Sequence, residues 1–233
     1  MTTTNSSHAE ISLSVSDARF KMIEQQIRPW NVSDQDVLEV LNLIKREQFV
    51  AESQVNLAFT DTQLPILGSD QKMFEPKVEA RVLQAVKPNG METVLEIGTG
   101  SAYMAALLGY FAKHVTSVEI NPSLVPQAIE NLNKSHIPNV TIEVGDAAHG
   151  WKTADAQTYD VICVSGGLPK VSDTLRSQLN VGGRLFAFVG DDLLMNAVLI
   201  TRISHDFYQT KTLFETVVPM LKVTKAELEN FVF

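Results

Sequence analysis

The stretch Val94-Leu95-Glu96-Ile97-Gly98-Thr99-Gly100-Ser101-Ala102 reads as an apolar strand that runs straight into a glycine turn and then a helix. Glycine suits such a turn because a Cβ would block either its dihedrals or the approach of a ligand. Downstream, short β-rich runs alternate with amphipathic segments. They are Thr93–Ile97, a helix from Ala102, Val115–Glu119, a helix from Ser123, Val140–Val144, Tyr159–Val164, a helix near Val171–Leu179, and Arg184–Val189. That alternation predicts an α/β fold with a parallel sheet and helices on both faces. Ala197–Ile203 and Thr212–Val218 have no long helix between them, which predicts an antiparallel hairpin at one edge. In such sheets a ligand binds beyond the carboxyl ends of the strands, at the switch point.

Ahead of that stretch the pattern is helical. One helix opens at Ser16-Asp17, places Phe20, Ile23 and Ile27 on one face and is expected to stop at Arg28-Pro29. A second follows Ser33-Asp34-Gln35-Asp36, with Val37, Val40, Leu41 and Ile44 as its buried stripe. Residues 50–75 lack periodicity and read as a long connection, of the kind that is usually functional in compact domains. A third helix starts at Pro76 and buries Val78, Val82, Leu83 and Val86, ending at Lys87-Pro88-Asn89-Gly90. The polar first fifteen residues predict a flexible tail, and Thr224-Lys225-Ala226-Glu227 carries a capping-box pattern for a short last helix.

With 233 residues and 45% apolar content the chain can bury one sizeable core. The expected division is a tail over 1–15 and a single domain over 16–233, with N-terminal helices and a loop over 16–90 and the α/β core over 91–233. A net charge of −8 and a pI near 5.1 supply no overall basic field, which argues against nucleic acid as a partner. No apolar run reaches the ~18 residues of a membrane span, and the N-terminus lacks the basic and apolar regions of a secretory signal. The lone Cys163 lies inside an apolar run and reads as a buried strand residue. A reducing cytoplasmic setting is the resulting expectation. The spacings of His8, His114, His136, His149 and His205 match no metal-ligand pattern, so no metal is expected.

The chemistry of the glycine turn narrows the ligand. A dinucleotide fingerprint wants a small residue five positions after Gly98, where this chain has Tyr103. Glu96 at the end of the strand would repel a diphosphate but suits the ammonium and sulfonium charges of S-adenosylmethionine. Glu119 ends the second strand about twenty residues after the turn, where an acid can accept ribose hydroxyls. Gly145-Asp146-Ala147 follows the third strand, where Asp146 can accept from an adenine amino group.

With these residues in view, the chain resembles the protein-L-isoaspartate O-methyltransferase family from about Ala18 to Lys222. The resemblance is carried by Met22–Pro29, Arg46-Glu47-Gln48-Phe49-Val50, Leu64-Pro65-Ile66, Val94–Tyr103, Asn139-Val140 with Gly145-Asp146, Gly182-Gly183-Arg184-Leu185 and Val218-Pro219-Met220. It implies a Rossmann-like, seven-stranded class I methyltransferase sheet with an N-terminal helical extension, using S-adenosyl-L-methionine. The cofactor-binding set it implies is Glu96, Gly98, Thr99, Gly100, Ser101, Glu119, Ile120, Asp146, Ala147 and Ser165. The implied activity is methyl transfer to isoaspartyl carboxylates of damaged proteins.

Two positions depart from the family pattern. Ala102 stands where a third glycine is common, a change expected to be absorbed by the helix. The family's Thr-Ile-Ser loop is replaced by Lys72-Met73-Phe74, followed by Glu75-Pro76, so a hydroxyl that faces the substrate carboxylate has become an apolar ring. Lys72, Phe74 and Glu75 are therefore the candidate substrate-loop residues, and Lys72 could supply a positive charge to a substrate carboxylate. Trp30 and Phe59 are read as packing anchors rather than substrate contacts. Methyl transfer from a sulfonium to a carboxylate needs alignment rather than proton removal, so no acid–base triad is expected. Two alternatives stay open: the same scaffold acting on another acceptor, such as a small molecule, and a cofactor-binding protein without turnover.

Overall fold

The computed structural model describes residues 15–154 and 157–223. Residues 1–14 of the expected tail over 1–15, and the capping box at 224–227, lie outside them. Helix α1 (15–22) passes through a π-turn, Ile23–Ile27, into a 3-10 turn, Arg28–Trp30. The helical path thus continues past Pro29, which sits in the first turn of the 3-10 segment, where a missing N–H costs nothing. Phe20 is 62% exposed, contrary to the sequence expectation. The buried face is instead centred on Arg19, Met22, Ile23 and Ile27, because the Arg19 guanidinium turns inward to pair with Glu47.

Helix α2 (Gln35–Leu43) is capped by the Asp34 carboxylate, which accepts from the Asp36 and Val37 amides, and it buries the expected stripe. Between it and helix α3 (Pro76–Val86), the aperiodic connection contains 3-10 turns and a short hairpin. That hairpin pairs β1 (Leu64–Pro65) with β2 (Lys72–Met73) antiparallel.

The main sheet then builds in alternation: β3 (Thr93–Ile97), α4 (Tyr103–Phe111), β4 (His114–Glu119), α5 (Val125–Lys134) and β5 (Val140–Val144). It continues with β6 (Tyr159–Leu168), α6 (Asp173–Ser177), β7 (Leu179–Gly190), β8 (Met195–Arg202) and β9 (Tyr208–Thr216). Seven strands lie in the order β5-β4-β3-β6-β7-β8-β9. The first five are parallel, and β8 and β9 form the expected antiparallel edge.

Alternation along the strands separates two cores. Val94, Val161, Cys163, Phe186 and Phe188 face the layer of α3, α4 and α5, whereas Leu95, Ile162, Val164, Leu185 and Ala187 face the layer that holds Leu175 of α6. Buried on both faces, these strands read as continuous apolar runs, the mark of parallel strands. From β3 the chain winds outward to β5, then returns to the other side of β3 as β6, which leaves a crevice beyond the ends of β3 and β6.

Candidate active site

The crevice is floored by the glycine turn after β3. Gly98 and Gly100 have φ of 93° and 54°, and a Cβ at Gly98 would meet Leu221 Cδ2 at 3.1 Å and the Ser165 carbonyl oxygen at 3.2 Å. Both dihedral and space require glycine there. Ala102 also lies in the left-handed region, at φ 66°. The helix does not absorb the glycine-to-alanine change as expected, because this residue precedes α4 as its N-cap instead of joining it. The buried Asn131 amide holds the Ser101 carbonyl at 3.0 Å, a support from α5 that the sequence reading missed.

Beneath the turn runs a line of hydroxyls and one acid. Thr99 Oγ1 lies 2.6 Å from Ser117 Oγ, Ser117 Oγ donates to Glu96 Oε2 at 2.6 Å, and Ser165 Oγ donates to Glu96 Oε1 at 3.0 Å. Glu96 is fully buried, and this burial pushes its carboxyl up to about 8, opposed by the serine hydroxyls and reinforced by Glu119. The sequence placed an open negative charge at this strand end. The structure places a buried carboxyl shifted toward its protonated form, because its lost hydration outweighs two hydrogen bonds. Glu119, at the end of β4, accepts from the Gly100 amide at 2.8 Å and the Asn121 amide at 2.9 Å. Each oxygen keeps a further lone pair for a hydroxyl donor.

One cavity of about 360 Å³ joins this floor to the 64–73 hairpin. Glu96, Gly98, Gly100, Glu119, Ile120 and Ser165 line it, with Thr99 and Ser101. Lys72 and Phe74 also line it, together with Asp70, Leu221 and Lys222. Phe74 is buried with its ring centroid 5.2 Å from that of Phe188. Glu75 is not in the lining: its carboxylate accepts from Gln63 Nε2 at 3.3 Å. Asp146 and Ala147 are also outside the lining. Asp146 Oδ1 accepts from the Ala148 amide at 3.1 Å, and the preceding Gly145 amide donates to the Glu119 carbonyl at 2.9 Å.

The hairpin wall is held from behind by Arg46, which is fully buried. Its Nε donates to Glu79 Oε2 at 2.9 Å, Nη1 to the Ala58 carbonyl at 3.1 Å and Nη2 to the Phe74 carbonyl at 2.6 Å. Burial pushes the Glu79 carboxyl up to about 7 against the pull of Arg46. The signal for this pair was present: Glu79 falls on the α3 stripe with Val82, Leu83 and Val86, and an acid on an apolar face needs a partner.

The remaining candidates lie apart. Cys163 is buried in β6, where burial pushes its thiol well above the usual range. Trp30 packs edge-on to Phe214 at 6.0 Å and Phe59 is buried, neither in the cavity lining. Among the described residues no group of three His, Cys, Asp or Glu is placed to hold a metal, and no helix is long and apolar enough to cross a membrane.

The residues present suit a cationic nucleoside: the cavity lining includes two acids, Glu96 and Glu119, beside a turn with two left-handed glycines. The family model described as Protein-L-isoaspartate(D-aspartate) O-methyltransferase matches residues 17–225. The chain is 39% identical over 183 residues to Protein-L-isoaspartate O-methyltransferase 1 of Syntrophobacter fumaroxidans, covering 78% of this chain and 84% of that one. It is 39% identical over 196 residues to Protein-L-isoaspartate O-methyltransferase 2 of Marinobacter nauticus, covering 84% and 88%. A Plasmodium falciparum structure assigned as a protein-L-isoaspartate O-methyltransferase, in complex with S-adenosyl-L-homocysteine, superposes with a TM-score of 0.72 at 19% identity, covering 87% and 97%.

Proposed function

Because the chain belongs to the protein-L-isoaspartate(D-aspartate) O-methyltransferase family, we propose that its cavity carries methyl transfer from S-adenosylmethionine to the isoaspartyl carboxylate of damaged proteins, a repair reaction. The observation that carries this reading is one cavity lined both by the glycine turn with its acids and by hairpin residues. Donor and acceptor can then meet without leaving a shared, partly enclosed space.

S-adenosylmethionine supplies a methyl group already activated on a sulfonium. What the chain must do is bind, orient and exclude water. Glu96 offers a carboxyl that ionises when a cation replaces its lost hydration. The Glu119 oxygens accept ribose hydroxyls beside Ile120, and Thr99 and Ser101 border the amino-acid end. Asp146 and Ala147 take the adenine end: the Gly145 amide ties their turn to Glu119, in keeping with a site that extends past the enclosed cavity.

On the acceptor side Lys72 offers a positive charge to the carboxylate in place of a hydroxyl, and the buried Phe74 lies in the same lining. Residues 16–90 in this reading supply the hairpin side of the acceptor wall, and the α/β core from 91 supplies the donor side together with the 219–223 segment that joins that wall. The buried lone thiol of Cys163 is in keeping with a reducing, cytoplasmic setting.

The test is labelled methyl transfer to an isoaspartyl peptide and to its aspartyl counterpart. Methylation of the first alone supports the reading. The ring of Phe74 in the acceptor half of the cavity favours one alternative, a small apolar acceptor, which would appear as labelled product from a metabolite extract but from neither peptide.

A further inference from the structure

We propose that Lys222 is a second carboxylate-binding residue of the acceptor site, occupied by Asp70 until the acceptor carboxylate takes its place; this rests on the methyl-transfer reading above. The segment 219–223 is fastened across the end of β6. The Gly167 amide donates to the Pro219 carbonyl at 2.9 Å, and the Leu221 amide donates to the Gly167 carbonyl at 2.9 Å. Leu221 then lies over the donor floor, its Cδ2 only 3.1 Å and 2.7 Å from where Cβ atoms on Gly98 and Gly166 would be. The next residue, Lys222, lines the cavity, and its ammonium pairs with the carboxylate of Asp70, another lining residue, on the loop between β1 and β2. A carboxylate is therefore already seated against a lysine at the edge where donor floor and acceptor wall meet.

The two ion pairs near the cavity differ in kind. Arg46–Glu79 has side-chain exposures of 0% and 4% and cannot exchange partners without exposing a buried charge. Lys222–Asp70 has exposures of 49% and 70%, so water screens it and its partner can be exchanged at little cost. Lysine suits exchange, being a point charge on a flexible stem. Asp70 becomes a competitor of the substrate for the same cation. This makes Lys222 and Asp70 opposite in effect, whereas a simple latch would make them alike.

The experiment compares full-length wild type, Lys222→Gln and Asp70→Asn for KM and kcat with an isoaspartyl peptide and for KM of the methyl donor. Both sites are surface positions, and unchanged melting temperatures would verify folding. Loss of a rim charge that meets the acceptor should raise the peptide KM of Lys222→Gln by about three- to tenfold at low salt. Removal of the competitor should lower the peptide KM of Asp70→Asn by about two- to fivefold, with kcat and donor KM little changed. Shifts of both variants in the same direction, or of neither, would overturn the role of Lys222. A wild type that methylates neither peptide would instead remove the isoaspartyl reading, and this inference with it.

Discussion

Ala102 adopts φ 66° with its methyl group buried. A non-glycine residue in that region costs about 1–2 kcal/mol, and burying one methyl returns about 0.8 kcal/mol. Ala102→Gly is therefore expected to be neutral or to gain up to about 1 kcal/mol in urea unfolding. Ala106→Gly, inside α4 and equally buried, should lose about 1–2 kcal/mol from lost burial and helix propensity. Equal losses in the two variants would contradict this account of the turn.

Glu96 gives a pH dependence whose sign follows from burial. Burial pushes its folded carboxyl up to about 8, well above the ordinary glutamate range, so the folded chain holds a proton more tightly than the unfolded chain. Stability from this group is full below the unfolded value, falls through the interval and is lost above about 8. Glu96→Gln should flatten the stability profile of the ligand-free protein between those limits, measured as ΔG of unfolding at several pH values. A profile as steep as wild type would show that Glu96 is charged throughout. Lys72→Ala should raise the acceptor KM about threefold, an effect of the size expected for a rim charge; unchanged turnover would reduce Lys72 to a solvated side chain.

The acids at the ends of β3 and β4 were legible because strand ends can be counted from a glycine turn. Whether Glu96 stood open or buried was not, since the serines that enclose it, Ser117 and Ser165, come 21 and 69 residues later in the chain.

Among the elements, α3 has the heaviest task, since the hairpin wall depends on the Arg46 contact beneath it. Arg46→Ala would leave Glu79 buried without a partner and release the Ala58 and Phe74 carbonyls. The expected loss is about 3–5 kcal/mol in urea unfolding. The paired change Arg46→Met with Glu79→Leu should recover much of it, since apolar groups of similar volume replace buried ion pairs well. A loss below about 1 kcal/mol for Arg46→Ala, the range of exposed pairs, would contradict the buried geometry.

Strands with clean apolar runs were readable to the residue: β3 and β5 match their expected spans. β6 and β7 run longer than expected because each continues through glycines that lie outside its apolar run. Gly167 pairs with Phe188 after a register shift, and Gly182, with φ 85°, falls within β7. The hairpin over 64–73 had no readable signal, since two-residue strands carry no period.

At the scale of the molecule, strand order decides the site. Outward winding to β5 and return to β6 bring Glu96, Glu119 and Ser165 together although their sequence separation is large. Alternating strands and helices predicted that sheet, and the antiparallel edge followed from the missing helix between β8 and β9. The part played by 219–223 was harder to read, because a segment without periodicity is placed only by the glycines it covers.

The central claim is that the glycine-and-acid floor accepts a cationic nucleoside rather than a diphosphate. Calorimetric titration of the full-length protein with S-adenosylmethionine, and separately with a nicotinamide dinucleotide, tests it directly. The expected result is saturable binding of the sulfonium nucleoside with release of up to about one proton at neutral pH, as Glu96 ionises, and no binding of the dinucleotide. Binding of the dinucleotide with none of the nucleoside would contradict it.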